Sequence, residues 1–289
     1  MTTRRSFLFA AGAALAADRP GLTLTDTPGQ KVNVSYQGAT LLEYCYSPAR
    51  PKTYIHPLCL PGGEPVTIDS PADHVHHRGL MVAWSEVNGI DFWGETNPGR
   101  HGQIIHDRFE RLRQKPNLEI IARNRWVAEG KVLLTERRTI RVPEPVDGAT
   151  WIEWITELSA SRIPVKLAAG QHVYDGLGVR VPQAMDGGAV LNSNGTNTIE
   201  KANGERATWC AYSGAGKSIV LFDHPTNPRH PNFFFVMKSK FGYLSAAPTF
   251  REPFDLPRDT KIRFRWAVMA FAGEPKADVL NARFSAWRD

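Results

Sequence analysis

Apolar and polar residues alternate along most of this chain with the period of two expected of half-buried strands. In "KIRFRWAVMAF", Ile262, Phe264, Trp266 and Val268 fall on one face, and Lys261, Arg263 and Arg265 on the other. The stretches "GLTLTDT", "KVNVSYQ", "ATLLEYCYS", "LEIIARNRWVA", "KVLLTERRTIRV", "WIEWITELSA", "SIVLFDH" and "NFFFVMKS" read as further strands, separated at short intervals by Gly, Pro, Asn and Asp. One segment has helical spacing: "KADVLNARFSAW", with Val279, Leu280, Phe284 and Trp287. This pattern predicts an all-β sandwich or barrel. "SGAGKS" at 213–218 echoes a phosphate-binding loop, but Ala211 stands where its first glycine belongs and a strand follows, so it reads as a hairpin turn.

Composition narrows this only slightly. With 289 residues, 42% of them hydrophobic, the chain can bury a large core. The net charge of +6 is spread among acidic residues with no long basic run, which argues against a nucleic-acid partner. At the N-terminus, Arg4 and Arg5 precede an apolar stretch from Phe7 to Ala17 that ends in an A-x-A cleavage pattern. This predicts a twin-arginine-type signal peptide over 1–17, a single β-sandwich domain over 18–289 and a periplasmic or secreted location. No later stretch approaches 18 apolar residues, so no membrane span is expected in the mature chain. Cys45, Cys59 and Cys210 form no C-x-x-C pair and sit among apolar neighbours, as expected of buried thiols.

The densest candidate chemistry is "PADHVHHRGLMVAW", residues 71–84. Taken as extended, it places His74, His76 and Arg78 on one face and Asp73, Val75 and His77 on the other. A His-x-His pair can supply half of a metal site. The same imidazoles can bind sugar hydroxyls or act as acid and base. The plainer reading is a hydrogen-bonded strand entry. In "AAGQHVYDGLGVRVP", residues 168–182, His172 and Tyr174 share a face. Gly176 and Gly178 there predict a strand break where backbone approaches a ligand, with Arg180 beyond it. "FDHPTNPRHPNFFFV" adds His224 and His230 on a proline-stiffened loop, and "TFREPFDLP" adds Glu252 beside Pro253.

The run "DHVHHRGLMVAWSEVNGIDFWGE" within residues 54–95, extended through "YDGLGVR", resembles the signature of the bacterial PmoA-like family. The resemblance implies a galactose-mutarotase-like supersandwich of two large antiparallel sheets. It also implies a His-rich site on the concave sheet. "HVYDGL" is similar to a mutarotase motif, which implies that His172 protonates a ring or leaving oxygen and that Glu252 removes a hydroxyl proton. His77 is a further catalytic candidate. Asp73, His74, His76, Arg78, Tyr174, Arg180 and His224 are candidates for substrate binding, with Trp84, Trp93 and Tyr174 as a stacking face. The leading expectation is an exported carbohydrate-active enzyme of epimerase, lyase or hydrolase type, acting on a small-molecule or oligosaccharide ligand without a required cofactor. One alternative is a metal-dependent oxygenase or hydrolase holding a divalent metal through His74 and His76. The other is a non-catalytic glycan-binding protein.

Overall fold

The computed structural model describes residues 21–95, 101–160, 162–171, 173–237 and 241–289. The region assigned to the signal peptide lies outside them. Two large antiparallel sheets dominate, as the alternation and the supersandwich expectation require. The first has nine strands, in the order Leu22–Thr27, Lys31–Tyr36, Ala39–Cys45, Tyr54–Leu58, Leu80–Trp84, Asp175–Arg180, Tyr243–Ala247, Phe233–Val236 and Glu205–Arg206. The second has eight, in the order Ala189–Asn192, Trp209–Gly214, Lys217–Asp223, Thr260–Ala272, Ala149–Ala160, Lys131–Val142, Leu118–Ala128 and Gln103–Arg113. A small third sheet joins Phe254–Leu256, Val165–Ala168 and Glu86–Val87. The "SGAGKS" segment is the predicted hairpin: Gly214 pairs with Lys217 around Ala215 and Gly216, both with positive φ.

The period of two decides which side chains meet between the large sheets. Trp84 packs on Trp126 and Phe264 of the eight-stranded sheet, so its face is the inner one. Asp175 lies directly opposite Trp84, and Leu177 and Val179 follow it inward. Gly176, Gly178 and Arg180 therefore face away from the second sheet. Trp84 is thus core, not part of a stacking face. On the far side of the eight-stranded sheet, the helix Ala277–Arg288 lays Leu280 and Phe284 over Trp209, Val220, Phe222 and Met269. Val279, expected on its apolar stripe, is exposed instead. The three cysteines are free thiols, and burial raises Cys45 and Cys59 each to about 11.

The inner layer also contains a buried ion pair. Glu136 and Arg138 both point inward from one strand, and Arg138 Nε donates to Glu136 at 2.8 Å. Glu136 accepts further bonds from Asn124 Nδ2 and Trp126 Nε1 at 3.1 Å and from Thr156 Oγ1 at 3.0 Å. Arg138 Nη1 reaches the Thr53 carbonyl at 3.0 Å and its hydroxyl at 2.7 Å, and the guanidinium lies over the Trp154 ring. These bonds tie the eight-stranded sheet to the segment that enters strand Tyr54–Leu58. Asp175 is a different case. Its Oδ2 accepts from the Thr249 backbone N–H at 2.6 Å and from the Thr249 hydroxyl, while Trp84 Nε1 donates to that hydroxyl at 3.1 Å. No cation faces it among the described residues, and burial raises its pKa to about 7.

Two outcomes follow. Arg138→Met leaves the Glu136 carboxylate buried without its cation and lowers unfolding stability by about 3–5 kcal/mol, read by urea titration. The double variant Glu136→Gln, Arg138→Met recovers part of that loss. The folded pKa of Asp175 lies above its unfolded value, so its contribution is fully present below about pH 4 and is lost as pH rises through about 7. The melting temperature of Asp175→Asn relative to wild type therefore rises between pH 4 and pH 8. A pH-independent difference contradicts this assignment.

Candidate functional site

The histidine segment is not extended. Residues 71–77 form two consecutive turns, in which His74 N–H donates to the Pro71 carbonyl and His77 N–H to the His74 carbonyl, both at 3.0 Å. An antiparallel bridge between Asp69 and Arg78 closes this excursion from the hairpin formed by Tyr54–Leu58 and Leu80–Trp84. The turns bring together rings that strict alternation would separate. His74 stacks on His77 with centroids 4.7 Å apart, and His76 lies 4.7 Å from His77 and 5.6 Å from His74. All three gather over the outer face of the nine-stranded sheet, where His77 also packs on Tyr243 at 4.7 Å.

The base of this segment is held by buried charge. Arg78 pairs with Glu95 through its Nε at 3.1 Å and its Nη2, and with Asp69 at 3.3 Å. Lys52 is buried beside Glu95 at 3.0 Å and donates to the Trp93 carbonyl. Tyr54 donates to Asp69 at 3.0 Å. Arg78, expected to bind substrate, is therefore committed to carboxylates of the fold. Asp91 closes the next turn by accepting from the backbone of Trp93 and Gly94 at 2.6 and 2.9 Å, and it meets His101 Nε2 at 3.2 Å.

Aromatic rings continue the outer face. Trp93 stacks on Tyr174 at 5.5 Å, Tyr174 meets Phe235 edge-on at 5.3 Å, and Tyr243 lies 5.8 Å from Trp93. The strand through Gly176 and Gly178 is unbroken from Asp175 to Arg180. The glycines admit protein rather than ligand: a Cβ on Gly176 would lie 1.9 Å from the Ala246 carbonyl oxygen, and one on Gly178 would lie 2.0 Å from the Tyr243 hydroxyl. Arg180 Nη2 donates to Asp73 at 3.0 Å, and its guanidinium lies 3.9 Å over the Phe241 ring. Asp73 also meets His74 Nδ1 at 3.1 Å.

Several polar atoms on this face are buried without a hydrogen-bond partner among the described residues: His77 Nδ1, Trp93 Nε1, Arg180 Nε and Nη1, Tyr243 Oη and Ser245 Oγ. Each such atom costs about 1–3 kcal/mol when nothing occupies the position opposite it. The electrostatics are equally particular. Burial, with neighbouring imidazoles, Arg180 and Lys52, pushes His77 down to about 2. Burial and Lys52 push His76 down to about 4. Both rings are neutral at pH 7.

Other expected members do not join this group. His224 lies at the end of strand Lys217–Asp223 on the opposite side of the molecule, against the Trp287 ring and 2.7 Å from Arg265 Nη1. Its burial and that guanidinium depress it to about 4, and it is part of the packing beneath the C-terminal helix. His230 is bound to the buried Asp223 at 2.7 Å. Glu252 has a side chain 76% exposed, facing Arg229 at 4.0 Å, and makes no contact with the histidine segment among the described residues. His172 lies outside the described residues. No set of three His, Cys, Asp or Glu side chains among the described residues converges as a metal site, so His74 and His76 stand as a pair without a third ligand. The residues not singled out from sequence are Lys52, Glu95, Tyr243 and Ser245. Glu95 ends the quoted "DFWGE" run, but isolated alternation offers no sign that Ser245 faces a site.

A wide cleft between Leu22 and Pro116 holds none of these residues. No described helix is long and apolar enough to cross a membrane. No curated protein matches the chain. Among solved structures, a heparan sulfate lyase from Pedobacter heparinus aligns with 9% identity and a TM-score of 0.41, over 89% of this chain and 36% of its own. An Escherichia coli K12 protein assigned as an aldose 1-epimerase aligns with 10% identity and a TM-score of 0.37, over 87% of this chain and 100% of its own. A glycoside hydrolase family 97 enzyme from Pseudoalteromonas sp. strain K8 aligns with 7% identity and a TM-score of 0.36, over 86% and 33%. The chain thus spans about a third of the lyase. These neighbours are carbohydrate-acting enzymes, each a distant likeness in shape. The resemblance to the PmoA-like family is overturned by a family profile that matches residues 31–285 and carries no link to PmoA. That match covers most of the sequence, and the chain belongs to DUF6807, a family of unknown function.

Proposed function

We propose that the protein is an exported carbohydrate-active enzyme whose sugar rests on the outer face of the nine-stranded sheet, between the histidine turns and the Trp93–Tyr174 stack. The observation that carries this reading is the coincidence of unpartnered polar atoms with aromatic planes on that one face. A sugar ring presents hydroxyls at its edge and C–H groups on its faces, so it satisfies both kinds of surface at once.

In this reading the roles divide by environment. His77 and His76 are held neutral and serve as hydrogen-bonding groups, because a pKa far below 7 makes a poor general base. His74 is the better proton-transfer group: its side chain is 32% exposed, and Asp73 at its Nδ1 fixes the tautomer and leaves Nε2 for the substrate. Arg180 positions Asp73 in turn. Export through the N-terminal signal, and a catalytic role for His172, belong to the same proposal. The glycan-binding alternative differs in one respect, the absence of turnover.

The expected outcome is that Trp93→Ala weakens sugar binding at least tenfold, about 1.4 kcal/mol, by calorimetry. His74→Ala lowers turnover by about 10²–10⁴-fold while leaving binding within a few-fold of wild type. Binding without any turnover in wild type selects the glycan-binding alternative. Absence of binding across neutral and acidic oligosaccharides removes the sugar reading altogether.

A further inference from the structure

The unpartnered atoms of the outer face are not chemically balanced. Trp93 Nε1, Arg180 Nε and Arg180 Nη1 can only donate. The Tyr243 and Ser245 hydroxyls can donate or accept, and His77 Nδ1 takes either role by tautomer. No unpartnered atom of this set is restricted to accepting. A ligand that completes the face must therefore present an excess of acceptors.

Arg180 gives that excess a charge. Its guanidinium is almost fully buried, and its sole carboxylate partner among the described residues is Asp73, through one nitrogen at 3.0 Å. The Asp73 side chain is 43% exposed, so water screens this pairing. The other nearby cations are already neutralised: Lys52 by Glu95, and Arg78 by Glu95 and Asp69. Phe241 covers one face of the Arg180 guanidinium and fixes its plane, leaving recognition to its edge. Its two unpartnered nitrogens, Nε and Nη1, lie on different edges of the guanidinium, because Nη2, which both forks share, is bound to Asp73; they offer two separate charged donors suited to the oxygens of an anionic ligand.

From this we infer that the substrate is an acidic sugar, and that Arg180 is a specificity-determining residue which receives its carboxylate, with Trp93 Nε1 and the Tyr243 hydroxyl binding neighbouring oxygens. The inference rests on the sugar-binding reading above and adds the chemical class of the ligand.

The test titrates the full-length protein by calorimetry with galacturonate and glucuronate oligosaccharides, their methyl esters, the corresponding neutral oligosaccharides and a sulfated neutral oligosaccharide. At least one free acid is expected to bind ten times or more tightly than its methyl ester, and Arg180→Gln is expected to erase that difference while retaining weak binding of the ester. Equal affinity for acid and ester overturns the inference and leaves a neutral-sugar site standing. Preference for the sulfated sugar over every uronate also overturns it. No binding of any sugar overturns both readings. If Arg180→Gln does not fold, judged by its melting curve, the acid-to-ester ratio of the wild-type protein decides alone.

Discussion

Two carboxylates, Glu95 and Asp69, hold the candidate site in place. Between them they neutralise Arg78 and Lys52 below the surface, and Lys52 also bonds the Trp93 carbonyl. This closed group of charges fixes the two segments that matter, the turns carrying His74 to His77 and the turn carrying Trp93. Buried charges of this kind are tolerated only when every partner is present. With those two cations paired, Arg180 is the buried cation among the described residues that keeps unpartnered donors.

Polar groups are buried on both sides of the nine-stranded sheet. Between the sheets, Glu136 and Arg138 are surrounded by Asn124, Trp126, Thr156 and Thr53, each placed to complete a bond. That network closes around the ion pair and leaves Asn124 Oδ1 without a partner among the described residues. On the outer face, Tyr243, Ser245, Trp93, His77 and Arg180 are as thoroughly buried yet incomplete. Unpartnered atoms remain in the interior too, at Tyr44 Oη, Asn124 Oδ1, Asp175 Oδ1 and Trp266 Nε1, whereas on the outer face six such atoms lie beside the Trp93, Tyr174 and Tyr243 rings.

Most of the strands were legible from the sequence because alternation survives wherever one face is buried, as in Ile262 to Val268. The C-terminal helix was legible from Leu280 and Phe284, which do pack, although Val279 does not. The site was legible only in part. "DHVHHR" marks a cluster by composition alone, but the extended reading separated rings that two turns bring together, since Pro71 and the local backbone bonds override alternation. Gly176 and Gly178 suggested a break, whereas the lack of Cβ serves close packing against Ala246 and Tyr243 within a continuous strand. His224 looked equivalent to the other histidines because sequence carries no information on which sheet face a loop residue finally occupies. Ser245 and Tyr243 gave no warning, since their strand partners Gly178 and Arg180 lie 67 and 63 positions away along the chain.

The depressed proton affinity of His76 and His77 has a consequence for how the site meets its surroundings. An imidazole whose pKa is lowered to about 4 or below is uncharged around neutrality and behaves there as a permanent dipole. Mild acidification therefore leaves these two rings as they are, and this face of the sheet keeps a constant electrostatic character at a spot where histidine-rich loops elsewhere would act as acidity sensors.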